Sequence, residues 1–134
     1  MQMLRDAGLR NTRARRAVLG VLSAVNHPVS QQEVATSLAG AGIDRVTLYR
    51  TLATLHQRGL VHRVRGLDGI WRFGVHSPQA ARCGGNHIHF LCVECNQMRC
   101  LPEQPLPWIA EPEGAQIVGK QLLMYGLCAS CNRP

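Results

Sequence analysis

The sequence predicts an α+β protein: an N-terminal winged helix-turn-helix followed by a smaller domain held by a four-cysteine zinc site. Three observations carry this reading. The first 76 residues hold three amphipathic helical segments and then two β-prone runs about an Asp-Gly turn. All six cysteines come later. Four of them form two Cys-x-x-Cys pairs, Cys92/Cys95 and Cys128/Cys131, with 32 residues between the pairs.

The first helix is read from TRARRAVLGVLSAVNH. Ala14, Ala17, Val18, Val21, Leu22 and Val25 recur at helical spacing, and Asn11 or Thr12 can cap the start. The second begins at Ser30 with Glu33 three residues on, a capping box, and buries Val34, Ala35 and Leu38. The glycines of AGAG (39–42) stop it. Asp44 caps a third helix, whose Leu48, Leu52 and Leu55 face the core while Arg50 and Gln57 face away and Tyr49 lies on the flank. Gly59 ends it. Leu60–Arg65 and Ile70–Phe73 then pair across Gly66–Gly69, where Asp68-Gly69 is a strong hairpin signal. Three helices and a hairpin make a winged helix. Its third helix is expected in the major groove, with Tyr49 or Arg50 reaching bases or phosphates there and Arg13, Arg15 and Arg16 at phosphates.

Charge divides the chain at the same place. The net charge of the 134 residues is +7. Residues 1–76 carry eleven Arg and four acids, so the whole excess lies there. Residues 77–134 are neutral. Charge alone fits a solvated arginine-rich face as well as a phosphate-binding one; the helix pattern and the polar outer face of the third helix favour DNA. The expected domains are 1–76 (winged helix), 77–86 (hinge) and 87–134 (zinc-stabilised). No apolar run approaches the roughly 20 residues of a membrane span, and the N-terminus lacks a signal-peptide pattern. A cytoplasmic location follows as the expectation, and there cysteines serve as metal ligands or reactive thiols rather than disulfides.

Two knuckles of this spacing make a closed tetrahedral zinc site, which is structural rather than catalytic. HIHFLC and QIVGKQLLMY (116–125) are the expected strands beside it. His87 and His89 alternate on the first and point the same way. Cys83 lies four residues earlier. A mixed His/Cys set next to a knuckle suggests a second metal site, and its softness favours zinc.

TLYR (47–50), GLVHRV (59–64), HIHFLCVEC (87–95) and YGLCASC (125–131) together resemble the ferric uptake regulator (Fur) superfamily, most closely its zinc uptake branch. The resemblance implies a homodimeric, metal-sensing transcription repressor that binds a palindromic operator. It also implies a C-terminal α/β dimerisation domain and an exchangeable metal site between the two domains. His87 and His89 occupy sensor positions. Asn86, Ile88 and Lys120 occupy those of an additional site found in relatives, which this chain lacks. Pro28 and Gly74 stand where iron-sensing members carry a histidine and a glutamate. His62 and Cys83 match ligands of the zinc sensors. The implied sensor set is therefore His62, Cys83, His87 and His89, with Cys100 able to replace one of them. Iron, manganese or peroxide sensing is the alternative within the superfamily. A small zinc hydrolase is a distant one, since no glutamate flanks the histidines as a general base.

Overall fold

The computed structural model describes residues 2–25, 27–75, 87–105, 107–117 and 120–133; of residues 87 and 102–105 it describes the backbone but not the side chains. The hinge expected at 77–86, and Cys83 with it, lies outside the described residues.

The N-terminal half contains α1 (Gln2–Asp6), α2 (Arg13–Ala24), β1 (Val29–Ser30), α3 (Gln31–Ser37), α4 (Arg45–Gln57), β2 (Val61–Arg65) and β3 (Trp71–Val75). Local chemistry sets the boundaries. The Thr12 side chain accepts from the Arg15 N–H at the start of α2. Ser30 and Glu33 form the reciprocal capping box of α3 at 3.1 and 3.2 Å, which supplies two of the first-turn N–H groups with acceptors. Asp44 sits at the N-cap of α4 but makes no side-chain cap hydrogen bond there. Gly59, with φ +73°, follows the last turn of that helix. Leu48, Leu52 and Leu55 are buried as their spacing requires, together with Val18, Leu19, Leu22 and Val34. The stripe of α2 is thus rotated from the expected one: Leu19 is fully buried, while Ala14 and Ala17 are only partly so. Helix α1 was not anticipated; it is short, and Leu4 is its one buried residue.

β1, β3 and β2 form an antiparallel sheet in that order, and β2–β3 is the wing. Its turn is closed by Gly66 N–H to Ile70 O at 2.9 Å and by Ile70 N–H to Asp68 Oδ1 at 3.0 Å. Gly69 takes the left-handed conformation (φ +78°) that favours glycine.

The C-terminal half is a second three-stranded sheet: β4 (His87–Cys92), β5 (Met98–Pro105) and β6 (Leu122–Gly126), in the order β5-β4-β6. β4 pairs antiparallel with β5 and parallel with β6. The expected strand over 116–125 is shorter and later than its β-compatible sequence suggests, since Ala115–Ile117 are not strand. Strand β5 was also unexpected. It lies at a sheet edge, where Pro102 and Pro105 cost least.

The wing joins the halves. One face of β2, with Val61, packs into the helical core. Val64, on the opposite face, is buried with Leu91, Met98 and partly buried Leu123 of the second sheet. Beside it, Gln121 bonds the Arg65 backbone twice: its Oε1 accepts from the N–H at 2.9 Å, and its Nε2 donates to the carbonyl at 2.6 Å. The side-chain amide thus takes the place of a peptide in a strand ladder.

Candidate metal centres

Two groups of ligand atoms converge among the described residues. In the first, Cys92 ends β4 and Cys95 follows within a tight turn, with Asn96 N–H bonded to Cys92 O at 2.9 Å. Cys128 and Cys131 form a second turn after β6, closed by Cys131 N–H to Cys128 O at 3.1 Å. The parallel pairing of β4 with β6 brings Cys92 opposite Gly126 and so carries the second turn to the first. The four thiol sulfurs lie within 4.8 Å of one another. Cys95 Sγ and Cys128 Sγ are 3.9 Å apart. That is too long for a disulfide bond and close to the roughly 3.8 Å edge of a tetrahedron with metal–sulfur bonds of about 2.3 Å. The donor set therefore fits zinc.

Backbone donors prepare this site. N–H groups of Cys95 and Cys128 point at Cys92 Sγ and lower its thiol pKa to about 6; the Cys128 contact is 3.4 Å. Cys128 is lowered too, first by the Cys131 N–H. Cys131, hydrogen-bonded by Cys128 and Cys92, is pushed up to about 12.

The second group is His62, His89 and Cys100, whose ligand atoms also lie within 4.8 Å of one another. Both histidines are buried and Cys100 is partly so. His89 and Cys100 are direct cross-strand partners on β4 and β5. His62 comes from the wing, its ring centroid 5.6 Å from that of His89. The structure thus brings together two residues of the expected sensor set and the suggested substitute, Cys100. Cys83 lies outside the described residues, as does the His87 side chain. Two imidazoles and one thiolate are a borderline-soft set that fits zinc.

The expected DNA contacts lie on the first half. Tyr49 is 64% exposed, and Arg50 is exposed beside it on α4. Arg13, Arg15 and Arg16 bond the Ala41 carbonyl, the Arg10 carbonyl and Asn11 Oδ1 respectively. Each guanidinium has five N–H donors, so these contacts orient the groups without using them up. The wing carries a basic patch that was not among the expected DNA contacts. The guanidinium of Arg63 stacks on Trp71 at 4.3 Å from the ring centroid, and that of Arg65 lies 5.7 Å away. The signal was present in Arg63 and Arg65, two positions apart on β2 and both exposed beyond the buried Val61.

A model of the ferric uptake regulator family matches residues 6–125. The chain belongs to the Fur family. It is accordingly a metal-responsive transcriptional regulator, and members of the family are not enzymes. The Ferric uptake regulation protein of Legionella pneumophila is 33% identical over 138 residues, spanning 98% of this chain and 97% of its own. The Vibrio cholerae ferric uptake regulator shares the fold with a TM-score of 0.67 at 24% identity, covering 95% of this chain and 98% of its own. Holo XcZur matches with a TM-score of 0.60 at 25% identity, over 92% and 87% of the two chains. No helix among the described residues is long and apolar enough to cross a membrane.

Proposed function

We propose that this Fur-family regulator is a zinc-responsive repressor of metal-uptake genes, acting as a homodimer on a palindromic operator in the cytoplasm. Cys92, Cys95, Cys128 and Cys131 hold a permanent structural zinc. His62, His89 and Cys100 hold the sensed zinc, with His87 or Cys83 as the fourth ligand. The observation that carries this reading is the position of the trio: one ligand on the wing and two on the second sheet. An ion bound there ties the DNA-binding half to the other half. It favours the DNA-competent arrangement by binding that arrangement more tightly.

The donor chemistry supports zinc over iron. The trio offers nitrogen and sulfur and no carboxylate, whereas iron(II) sites join two histidines to a carboxylate and manganese favours oxygen ligands; a thiolate beside imidazoles suits zinc. The named relative from Legionella pneumophila is a ferric regulator, so metal choice rests on the ligands, not on kinship. Dimerisation has its own support. Trp108, Ile109, Met124, Tyr125 and Leu127 are exposed large apolar side chains, Trp108 at 85%, which association with a second copy would cover. In the DNA complex, Tyr49 and Arg50 meet bases, while Arg13, Arg15, Arg16 and the Arg63–Trp71–Arg65 patch meet phosphates.

The test is operator binding with zinc, iron(II) and manganese(II) after a mild chelator has emptied the sensor site but not the four-cysteine site. Zinc should restore binding at the lowest free-metal concentration. DNA affinity that ignores zinc, or that answers first to iron, refutes the reading.

A further inference from the structure

We propose that Gly74 is a specificity-determining residue of the sensor site, which it shapes by yielding its side-chain space to the His62 imidazole. The inference rests on the sensor reading given above. Gly74 lies within β3 and is the cross-strand partner of His62. Its backbone does not require glycine: it is absent from the glycines with positive φ. It is not in the hairpin turn, and a glycine inside a strand costs stability. A close approach remains as its reason. A Cβ at residue 74 would stand 2.6 Å from His62 Cε1, 3.0 Å from Nε2 and 3.4 Å from Nδ1. The three nearest atoms all belong to that one ring.

Two strands therefore compete for one space beside His89 and Cys100. With glycine on β3, β2 fills the space with an imidazole. With any side chain on β3, the ring has to leave. The ring is the end of a rotatable side chain, so it swings aside more cheaply than the sheet deforms. The expected result of a substitution is a folded protein with a dispersed ligand set. Gly74 touches no metal itself; it is a positioning residue that acts through His62 and so decides that the wing supplies nitrogen.

The experiment compares wild type, His62→Ala, Gly74→Ala and the double variant. Sensor-zinc affinity is read by chelator competition, and ligand geometry by the visible and thiolate charge-transfer bands of the Co²⁺ form. Gly74→Ala should weaken the sensor site by roughly 10- to 100-fold, as loss of ligand orientation does. It should lose the tetrahedral cobalt bands and keep the structural zinc. In the His62→Ala background the same substitution should change affinity less than about twofold, because the ring it acts on is gone. Wild-type affinity in Gly74→Ala, or equal losses in both backgrounds, overturns the proposal while leaving the sensor reading intact. Unchanged affinity in His62→Ala overturns both. Should Gly74→Ala fail to fold, removal of His62 must restore folding; a double variant that stays unfolded also overturns it.

Discussion

The thiols of the four-cysteine site hold protons unequally, and this shapes how the site fills. At neutral pH Cys92, lowered to about 6, is already a thiolate. Cys131, pushed up to about 12, keeps its proton until metal displaces it. Cys95, also raised, likewise holds a proton at neutral pH, so zinc binding should release the protons of Cys131 and Cys95 there, and that of Cys92 as well once the pH drops below about 6. The depressed Cys92 pKa contributes stability to the metal-free fold above the unfolded thiol pKa, and this is lost as pH falls through about 6. Proton release measured with an indicator, together with zinc affinity from pH 8 to 5, checks both statements; an affinity independent of pH contradicts them. Cys100 makes a second residue-scale prediction. Cys100→Ser should leave the zinc of the four-cysteine site in place and lower sensor-zinc affinity by roughly tenfold or more, since a hydroxyl is a poor zinc ligand. Cys83→Ser, measured in parallel for metal content per chain, should cost less. The reverse order would return the thiol ligand to Cys83.

At the scale of elements, the wing and the knuckle show what could be read from sequence and what could not. Ser30 with Glu33, the leucines of α4 and the paired Cys-x-x-Cys spacings each depend on neighbours close in sequence, and each took the expected form. The role of Cys100 depends on strand register. The first knuckle is also the turn of the β4–β5 hairpin, with Cys92 N–H bonded to Gln97 O at 3.0 Å. That closure pairs Leu91 with Met98 and hence His89 with Cys100. A Cys-x-x-Cys spacing by itself marks a metal knuckle and not a hairpin turn, so β5 is not legible in the sequence. The wing turn holds a further hidden dependence. Arg72 is buried, and its guanidinium meets Asp68 Oδ2 at 3.0 Å. The Arg72 hydrogen bond, aided by the Ile70 N–H, keeps the Asp68 carboxyl below its usual range. Asp68→Ala should cost about 1–3 kcal/mol, because it strands a buried donor group. Chemical denaturation would show this, and a loss below about 0.5 kcal/mol, the level of ordinary surface changes, would mean that Arg72 finds another acceptor.

At the scale of the whole molecule, the two halves meet through the wing alone among the contacts described above: the Val64 cluster, the Gln121 amide and the sensor trio. The first two need no metal. They give the closed arrangement a standing population, so the ion has only to complete a shift already favoured in part. This sets an expectation for Gln121→Ala. Its two hydrogen bonds to the Arg65 backbone are exposed and touch neither metal site. Their loss is worth roughly 1 kcal/mol, or about a fivefold fall in the closed-to-open ratio. Apparent sensor affinity scales with the competent fraction, so the zinc midpoint for operator binding should rise several-fold. At saturating zinc, where the ion itself holds the halves together, operator affinity should return nearly to the wild-type value. Fluorescence anisotropy on operator DNA across buffered zinc concentrations separates these limits. An unchanged midpoint would mean that the closed arrangement owes nothing to Gln121. A deficit persisting at saturation would mean that the amide holds the wing for DNA binding itself, rather than biasing the equilibrium that zinc reads.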